Sequence, residues 1–547
     1  MGTSDSAAVT EDGRYDVIVI GAGFAGLYAL HRLRGVGLRA RVLERGDRVG
    51  GTWLWNRYPG ARCDIESIEY SYSFSDEIQQ EWEWTQTLPA QPEVEAYLNF
   101  VADRLDLRRD IEFGTEVTSL DFDEEAGTWL VATEAGQRYV APFVIAATGI
   151  LSEPLDPAIP GKEEFAGTSL YCARFPREGF DFTGRRVGLI GTGSTGVQAT
   201  PVIAEQAAQL FVFQRSAPYT FPSNLREFAP GELDALKAQY PEIRAAQRRA
   251  HTGAARLSAF SVMSSMRDPR PLKKATREEQ LRAIDERGVV GALSWADVLS
   301  DPEAGELATK LYGEAVARIV KDPATAASLV PRYPFGCRRP VIDTGFYEAF
   351  NRPNVTLVDL RQDPLRRVTK TGIQTGQAGY DLDVIVYATG FDAMTGALTR
   401  MDVRGRGGKL LRDVWAAEGP LTYLGLQVAG FPNLFTVQGP GSTAVTSNYV
   451  TGMEQHIDWI ADCLGYLRSR GHRVIEALPA AQLDWAEHAA SLTDGTVLSN
   501  PACNSWWTGT NVPGKQRFFL GYVGGIPDYR RRCEEIAAAG YTGFALS

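Results

Sequence analysis

A short apolar run ending in three spaced glycines occurs twice in this chain, and each time the glycines open a helical stretch. The first copy reads "YDVIVIGAGFAGLYALHRLRGVGLRARVLERG" from Tyr15; the second reads "RRVGLIGTGSTGVQATPVIAEQAAQLFVFQRS" from Arg185. Val17–Ile20 and Val187–Ile190 predict strands. Gly21, Gly23 and Gly26 follow the first, and Gly191, Gly193, Ser194, Thr195 and Gly196 follow the second. A bare G-x-G-x-x-G is weak, but strand, glycines, helix and second strand in that order specify a dinucleotide-binding fold. The small residues let the backbone approach a pyrophosphate, which the unpaired N–H groups and dipole of a helix N-terminus favour. Two such units predict an α/β protein with two Rossmann-like domains.

The ends of the second strands differ. The first closes on Glu44, an acceptor for the hydroxyls of an unphosphorylated ribose such as that of FAD. At the same interval from Gly191 the chain offers Gln214, Arg215 and Ser216 in "LFVFQRSAP". A carboxylate there would repel a 2′-phosphate, whereas a guanidinium binds one through charge-assisted hydrogen bonds worth roughly 1.5–3 kcal/mol each. The second site therefore reads as an NADPH site. Taken alone, Arg215 could also be a solvated charge at a strand end. Two further strands, "FVIAATG" and "DVIVYATGFD", end in small residues suited to a chain passing beside a cofactor. Sites of opposite ribose chemistry in one chain imply hydride passed from NADPH to FAD.

The chain has 547 residues, room for several domains. Residues 1–150 read as the first part of the FAD-binding domain and 151–221 as the first part of the NADPH-binding domain. Residues 222–330, with Leu307, Leu311, Ala315 and Ile319 at helical spacing, read as a helical insertion. Residues 331–389 complete the NADPH-binding domain. Residues 390–547 complete the FAD-binding domain and add substrate and C-terminal loops. The net charge of −11 argues against nucleic acid or an acidic membrane as partner. "MGTSDSAAVTEDGR" lacks the apolar centre of an export signal, and no apolar run is long enough to span a bilayer. The six cysteines are scattered without a C-x-x-C, so neither a disulfide framework nor a redox dithiol is expected, and a reducing cytoplasm fits. The five histidines show no ligand spacing, so no metal site is expected. Oligomerisation beyond a monomer or weak homo-oligomer is not indicated.

The segment "GGTWLWNRYPGARCDIES", Gly50 to Ser67, closely resembles the flavin-proximal segment of class B Baeyer–Villiger monooxygenases. "YPFGCRRPVID", "PNLFTVQGPGS" and "NSWWTGTNVPGK" match the same family in order, so the resemblance covers nearly the whole chain. One stretch departs. The family fingerprint Phe-x-Gly-x-x-x-His-x-x-x-Trp-Pro is here "FAGTSLYCARFP", with Tyr171 for His and Phe175 for Trp. In the family this stretch is a linker coupling domain movement, so the chemistry is expected to survive while coupling or substrate range differs.

The resemblance implies an FAD-dependent, NADPH-consuming enzyme that forms a peroxide at the flavin C4a carbon and inserts one oxygen atom of O2 next to a ketone carbonyl, giving an ester or lactone. It places Gly51, Thr52, Trp53, Asp64 and Tyr70 against the flavin. It makes Arg339 the fixed cation that keeps the peroxide deprotonated, and Asp64 the carboxylate that orients it. At about 4 Å and an effective dielectric near 20, opposite charges gain roughly 4 kcal/mol. Arg338 stands where relatives carry a Lys that reaches the 2′-phosphate. Trp506 stands where a mobile-loop tryptophan contacts NADP. Ser442, Thr443, Ala444 and Val445, in the loop "GPGSTAVTSN", are expected to line the ketone pocket. Without the family, an Arg-Arg pair reads as a solvated face, Asp64 as a helix cap and Trp506 as a core aromatic. Two alternatives remain: a flavin monooxygenase oxygenating N or S atoms, and an NADPH-dependent flavin reductase or oxidase.

Overall fold

A computed structural model describes residues 13–256, 268–501 and 503–547. The polar start of the chain, up to residue 12, lies outside the described residues, as does the stretch 257–267 within the region read as a helical insertion.

The first glycine unit folds as β1 (Val17–Ile20), α1 (Phe24–Gly35) and β2 (Ala40–Leu43). All four β1 residues are buried, as a Val-Ile run covered on both faces requires. β1 pairs in parallel with β2, Val17 opposite Ala40, and with the strand Phe143–Ala146, Val17 opposite Phe143. Ile111–Glu112 and Leu434–Thr436 add the edges of this five-stranded parallel sheet. The second unit folds as β3 (Arg186–Ile190), α2 (Ser194–Gln206) and β4 (Gln209–Gln214). Its sheet runs Val355–Asp359, β4, β3, Val384–Tyr387, Thr168–Tyr171, again all parallel.

The glycines act alike in both copies. Gly21 and Gly191 have φ of +102° and +110°, and a Cβ there would stand 2.7 Å from Ala147 O or 2.4 Å from Ala388 O. A Cβ at Gly26 would lie 1.8 Å from Gly21 O, and one at Gly196 2.0 Å from Gly191 O. Only glycine lets strand, turn and helix pack this closely. The third glycine of each unit is thus a packing residue.

The second sheet lies within the sequence span of the first, so the chain passes between the two folds twice. The passages run side by side: Leu155 N donates to Gly390 O at 2.9 Å and Asp392 N to Glu153 O at 2.9 Å. Residues of the helical region divide between the two cores. Leu233, Leu236, Tyr240 and Ile243 pack with the first fold, whereas Leu293, Leu311, Tyr312 and Ala315 pack with the second. In the helix Pro302–Ile319, Leu311 and Ala315 are buried while Leu307 and Ile319 stand at its margin. A separate mixed sheet, antiparallel over Val117–Asp123, Thr128–Thr133 and Arg138–Ala141 with Asp402–Arg404 added in parallel at its edge, buries Trp129 against the first sheet. The long helix α3 (Tyr449–Arg470) packs along α1, where Asp458 accepts hydrogen bonds from Tyr28 and Arg32 at 2.7 Å each. No helix among the described residues is long and apolar enough to cross a membrane.

Candidate active site

A single cavity of about 1410 Å³ is lined by residues of both glycine units. Pockets for one small ligand typically measure about 300–1,000 Å³, so this one suits more than one occupant. On the first fold it is lined by Gly21, Gly23, Glu44, Gly51, Thr52, Trp53, Asp64 and Tyr70. Gly23 caps α1 with no side-chain cap and no acid in the first turn, so the helix N-terminus offers its backbone N–H groups to an anion. Gly51, at φ +54°, packs against Gly23, and a Cβ on it would lie 2.9 Å from the Gly23 Cα. The Glu44 carboxylate accepts from Ala22 N and Gly46 N, both at 2.7 Å, while burial pushes its pKa up against these bonds. The Trp53 indole donates to the Tyr70 hydroxyl at 3.2 Å. These residues fit a dinucleotide with an unphosphorylated ribose.

On the second fold the lining comprises Gly191, Gly193, Ser194, Thr195, Arg215 and Ser216. Gly193 caps α2, again with neither side-chain cap nor acid, and a Cβ there would meet nothing within 4 Å. That open space is the room a phosphate needs. Gln214 turns away into the protein, its amide donating to Ser328 O at 2.7 Å. Arg215 is exposed in the cavity, and Ser216 accepts from the Thr192 hydroxyl at 2.8 Å through its carbonyl. Arg338 lies over the Tyr333 ring, 4.2 Å from its centroid, with Nε donating to Asn504 O at 2.8 Å. Burial lowers its pKa, and Arg215 adds like-charge repulsion in the same direction. Among the described residues neither arginine has a carboxylate partner. Two cations facing one cavity suit a dianionic phosphate.

Between the two folds stands Arg339. Its Nε donates to Asp64 Oδ2 at 2.7 Å and its Nη2 to Oδ1 at 2.8 Å. Burial opposes the charge, but Asp64 outweighs it through its own charge and both hydrogen bonds, so the guanidinium is held above its usual pKa. It remains positive at every pH at which the protein is folded. Trp506 lines the cavity beside Asn504 and Ser505, while Trp507 is buried.

Of the loop read as the ketone pocket, Ala444 lines the cavity. Ser442, Thr443 and Val445 do not; the Ser442 hydroxyl donates to Gly439 O at 2.7 Å and Val445 packs against Trp507 and Leu520. Short uncharged side chains gave no indication of which residue in the turn faces inward. The cavity also takes in residues that sequence reasoning missed, among them Tyr58, Ser447 and Tyr449. The Tyr58 hydroxyl donates to Gln198 on α2 at 2.8 Å, joining the two folds beside the cleft. Tyr449 opens α3, a position without a local motif.

The expectation of neither a disulfide framework nor a redox dithiol is corrected to the extent of one bond. Cys337 and Cys503 are bonded across 166 residues, with Cα atoms 5.1 Å apart. Only the fold brings them together. The departure from the family fingerprint also has a structural setting: Tyr171 stacks on Tyr387 at 4.8 Å and 17°, and Phe175 is buried in the second core.

Two dinucleotide cradles opening on one cleft, one shaped for a plain ribose and one for a phosphorylated ribose, define a flavin- and nicotinamide-dependent oxidoreductase. Residues 18–248 match the family described as pyridine nucleotide-disulphide oxidoreductase. The chain is 40% identical to the acetone monooxygenase (methyl acetate-forming) of Gordonia sp. (strain TY-5), over 97% of this chain and 99% of that protein. It is 37% identical to the phenazine N-monooxygenase PhzNO1 of Lysobacter antibioticus, over 97% of each. It superposes on an oxidised steroid monooxygenase bound to NADP with a TM-score of 0.89 and 46% identity, covering 97% of this chain and 99% of that one. The chain belongs to the class B flavoprotein Baeyer–Villiger monooxygenase family and is an NADPH-dependent flavoprotein monooxygenase using FAD.

Proposed function

We propose that this enzyme inserts one oxygen atom of O2 next to the carbonyl of a small-molecule ketone, yielding an ester or lactone. The observation that carries the reading is the Arg339–Asp64 pair, set in the cavity that both glycine loops reach. FAD, when bound, accepts a hydride from NADPH and supplies activated oxygen. The chain's own residues do the rest. Glu44 and the α1 N-terminus hold the flavin nucleotide; Gly51, Thr52, Trp53 and Tyr70 border its ring. Gly191, Gly193, Ser194 and Thr195 seat the NADPH pyrophosphate, and Arg215, Ser216 and Arg338 clamp its 2′-phosphate. Arg339 stabilises negative charge on oxygen as it develops during attack on the carbonyl, as an oxyanion hole does. Asp64 fixes the plane of that guanidinium. Trp506 covers the nicotinamide side and excludes water. Ala444 borders the ketone, with Ser442, Thr443 and Val445 supporting it from behind.

The charge of −11 and the four buried free thiols suit a reducing aqueous compartment, the cytoplasm, and a monomer or weak homo-oligomer that binds neither nucleic acid nor membrane. The test is incubation of the yellow protein with NADPH, air and a panel of ketones and sulfides. Ester or lactone formation supports the reading. Similarity to a phenazine N-monooxygenase favours N- or S-oxygenation as the second reading, which sulfoxide or N-oxide without ester would establish. NADPH consumption matched wholly by hydrogen peroxide would contradict both.

A further inference from the structure

The Cys337–Cys503 bond joins two segments that both line the cavity. Cys337 immediately precedes Arg338 and Arg339. Cys503 immediately precedes Asn504, Ser505 and Trp506, all of which line the cavity. The other contacts holding this C-terminal segment are non-covalent. Arg338 Nε binds Asn504 O at 2.8 Å, Asn511 Nδ2 donates to Phe391 O at 2.8 Å, and Lys515 reaches the Thr395 hydroxyl at 2.7 Å and the Asp392 carboxylate. Such contacts break and re-form on the timescale of loop motion. A disulfide does not. With it closed, the segment carrying Trp506 is pinned at its start to the loop that carries Arg339.

The remaining cysteines, Cys63, Cys172, Cys463 and Cys533, are buried and unpaired. Cys337 and Cys503 are buried as well but alone stand as a pair, in segments that carry Arg338 and Arg339 on one side and a backbone contact from Arg517 Nη1 to Cys503 O at 2.7 Å on the other. Inside cells, protein disulfides are most often transient and redox-sensing.

We propose that Cys337 and Cys503 form a reversible dithiol–disulfide modification site, oxidised by hydrogen peroxide, that locks the Trp506 segment over the cavity. It rests on the reading that Trp506 covers the nicotinamide nucleotide. The oxidant is within reach of the enzyme's own chemistry, because reducing equivalents of NADPH that do not drive oxygen transfer leave O2 as hydrogen peroxide. One thiolate attacks a peroxide oxygen and breaks the O–O bond, releasing one water after protonation and leaving a sulfenic acid. The second thiol attacks that sulfur, forms the S–S bond and expels a second water. Two electrons pass from the sulfur pair to the peroxide, and a small-molecule thiol reverses the change by exchange. The oxidised enzyme retains NADP⁺ and turns over slowly, so wasteful NADPH consumption limits itself.

The test uses the full-length holoenzyme, reduced with dithiothreitol, freed of reductant, and then divided and treated or not with hydrogen peroxide. Alkylation and peptide mapping read the state of the pair, and stopped-flow displacement reads NADP⁺ release. The expected result is a Cys337–Cys503 cross-link after peroxide, with NADP⁺ release slowed about threefold or more. Cys503→Ser and Cys337→Ser should release NADP⁺ as fast as the dithiothreitol-reduced wild type under both treatments. A pair that stays alkylatable after peroxide overturns the proposal, as does a cross-link that leaves NADP⁺ release unchanged in the wild-type protein. Neither readout depends on ester formation, so failure of the ketone panel and failure of this proposal are separable.

Discussion

The Arg339 guanidinium and the Asp64 carboxylate, 275 residues apart in sequence, face each other through two parallel hydrogen bonds of 2.7 and 2.8 Å. Fork-to-fork pairing of this kind fixes orientation as well as charge. It sets a permanent cation in the cleft between two nucleotide cradles, and the chemistry proposed for the enzyme follows from that placement.

The nucleotide preference should reside in Arg215. Arg215→Ala removes charge-assisted bonds worth roughly 1.5–3 kcal/mol, raising the KM for NADPH by about 10- to 150-fold while leaving that for NADH nearly unchanged. Steady-state kinetics with both nucleotides check this. Equal effects on the two would remove Arg215 from the 2′-phosphate clamp.

Two glycines of one motif should answer differently to the same change. Gly193→Ala places a Cβ in open cavity space, so the melting temperature should hold while NADPH binding weakens. Gly196→Ala drives a Cβ to 2.0 Å from Gly191 O and should lower the melting temperature by several degrees. Scanning calorimetry with nucleotide titration separates the two outcomes, and matching responses would count against the assignment.

Asp343 should make stability depend on pH. Burial pushes its carboxyl up to about 6, against hydrogen bonds from the backbone N–H groups of Phe346 and Gly345. The folded protein therefore holds a proton that the unfolded chain has released. The resulting stability is complete below the ordinary value of 3.8 and is lost as pH rises through about 6. Relative to Asp343→Asn, the wild type should lose roughly 1.4 kcal/mol between about pH 5 and about pH 7.5. Urea denaturation at both pH values measures it, and parallel profiles would refute it.

Tyr171 departs from the family fingerprint and stacks on Tyr387, whose strand leads into the passage back to the first fold. Aromatic pairs contribute about 0.5–1.5 kcal/mol beyond burial. Tyr171→Ala should loosen that passage and raise the hydrogen peroxide released per NADPH oxidised. An unchanged ratio would make the stack purely structural.

The parts of the fold legible in the sequence were those specified locally. Gly21, Gly26, Gly191 and Gly196 mark their turns because a strand, a tight turn and a helix start leave no space for a side chain. Arg215 was legible because it replaces an acid at a fixed interval. Arg339 and Asp64 carried no such mark; residue chemistry alone favoured a solvated pair and a helix cap, and the family resemblance singled them out. Cys337 and Cys503 were illegible because a contact across 166 residues exists only in the folded chain. Tyr449 was missed because the Asn448 cap marks where α3 starts but not that the next side chain reaches the cavity. In Ser442–Val445, the backbone turn that aims Ala444 alone at the cavity leaves no trace in four small residues.

The most direct test measures ester formation and NADPH oxidation together in Arg339→Ala. The account predicts flavin reduction by NADPH near the wild-type rate, ester formation reduced by about a thousandfold, and the oxygen recovered as hydrogen peroxide. Ester formation close to the wild-type yield would contradict it.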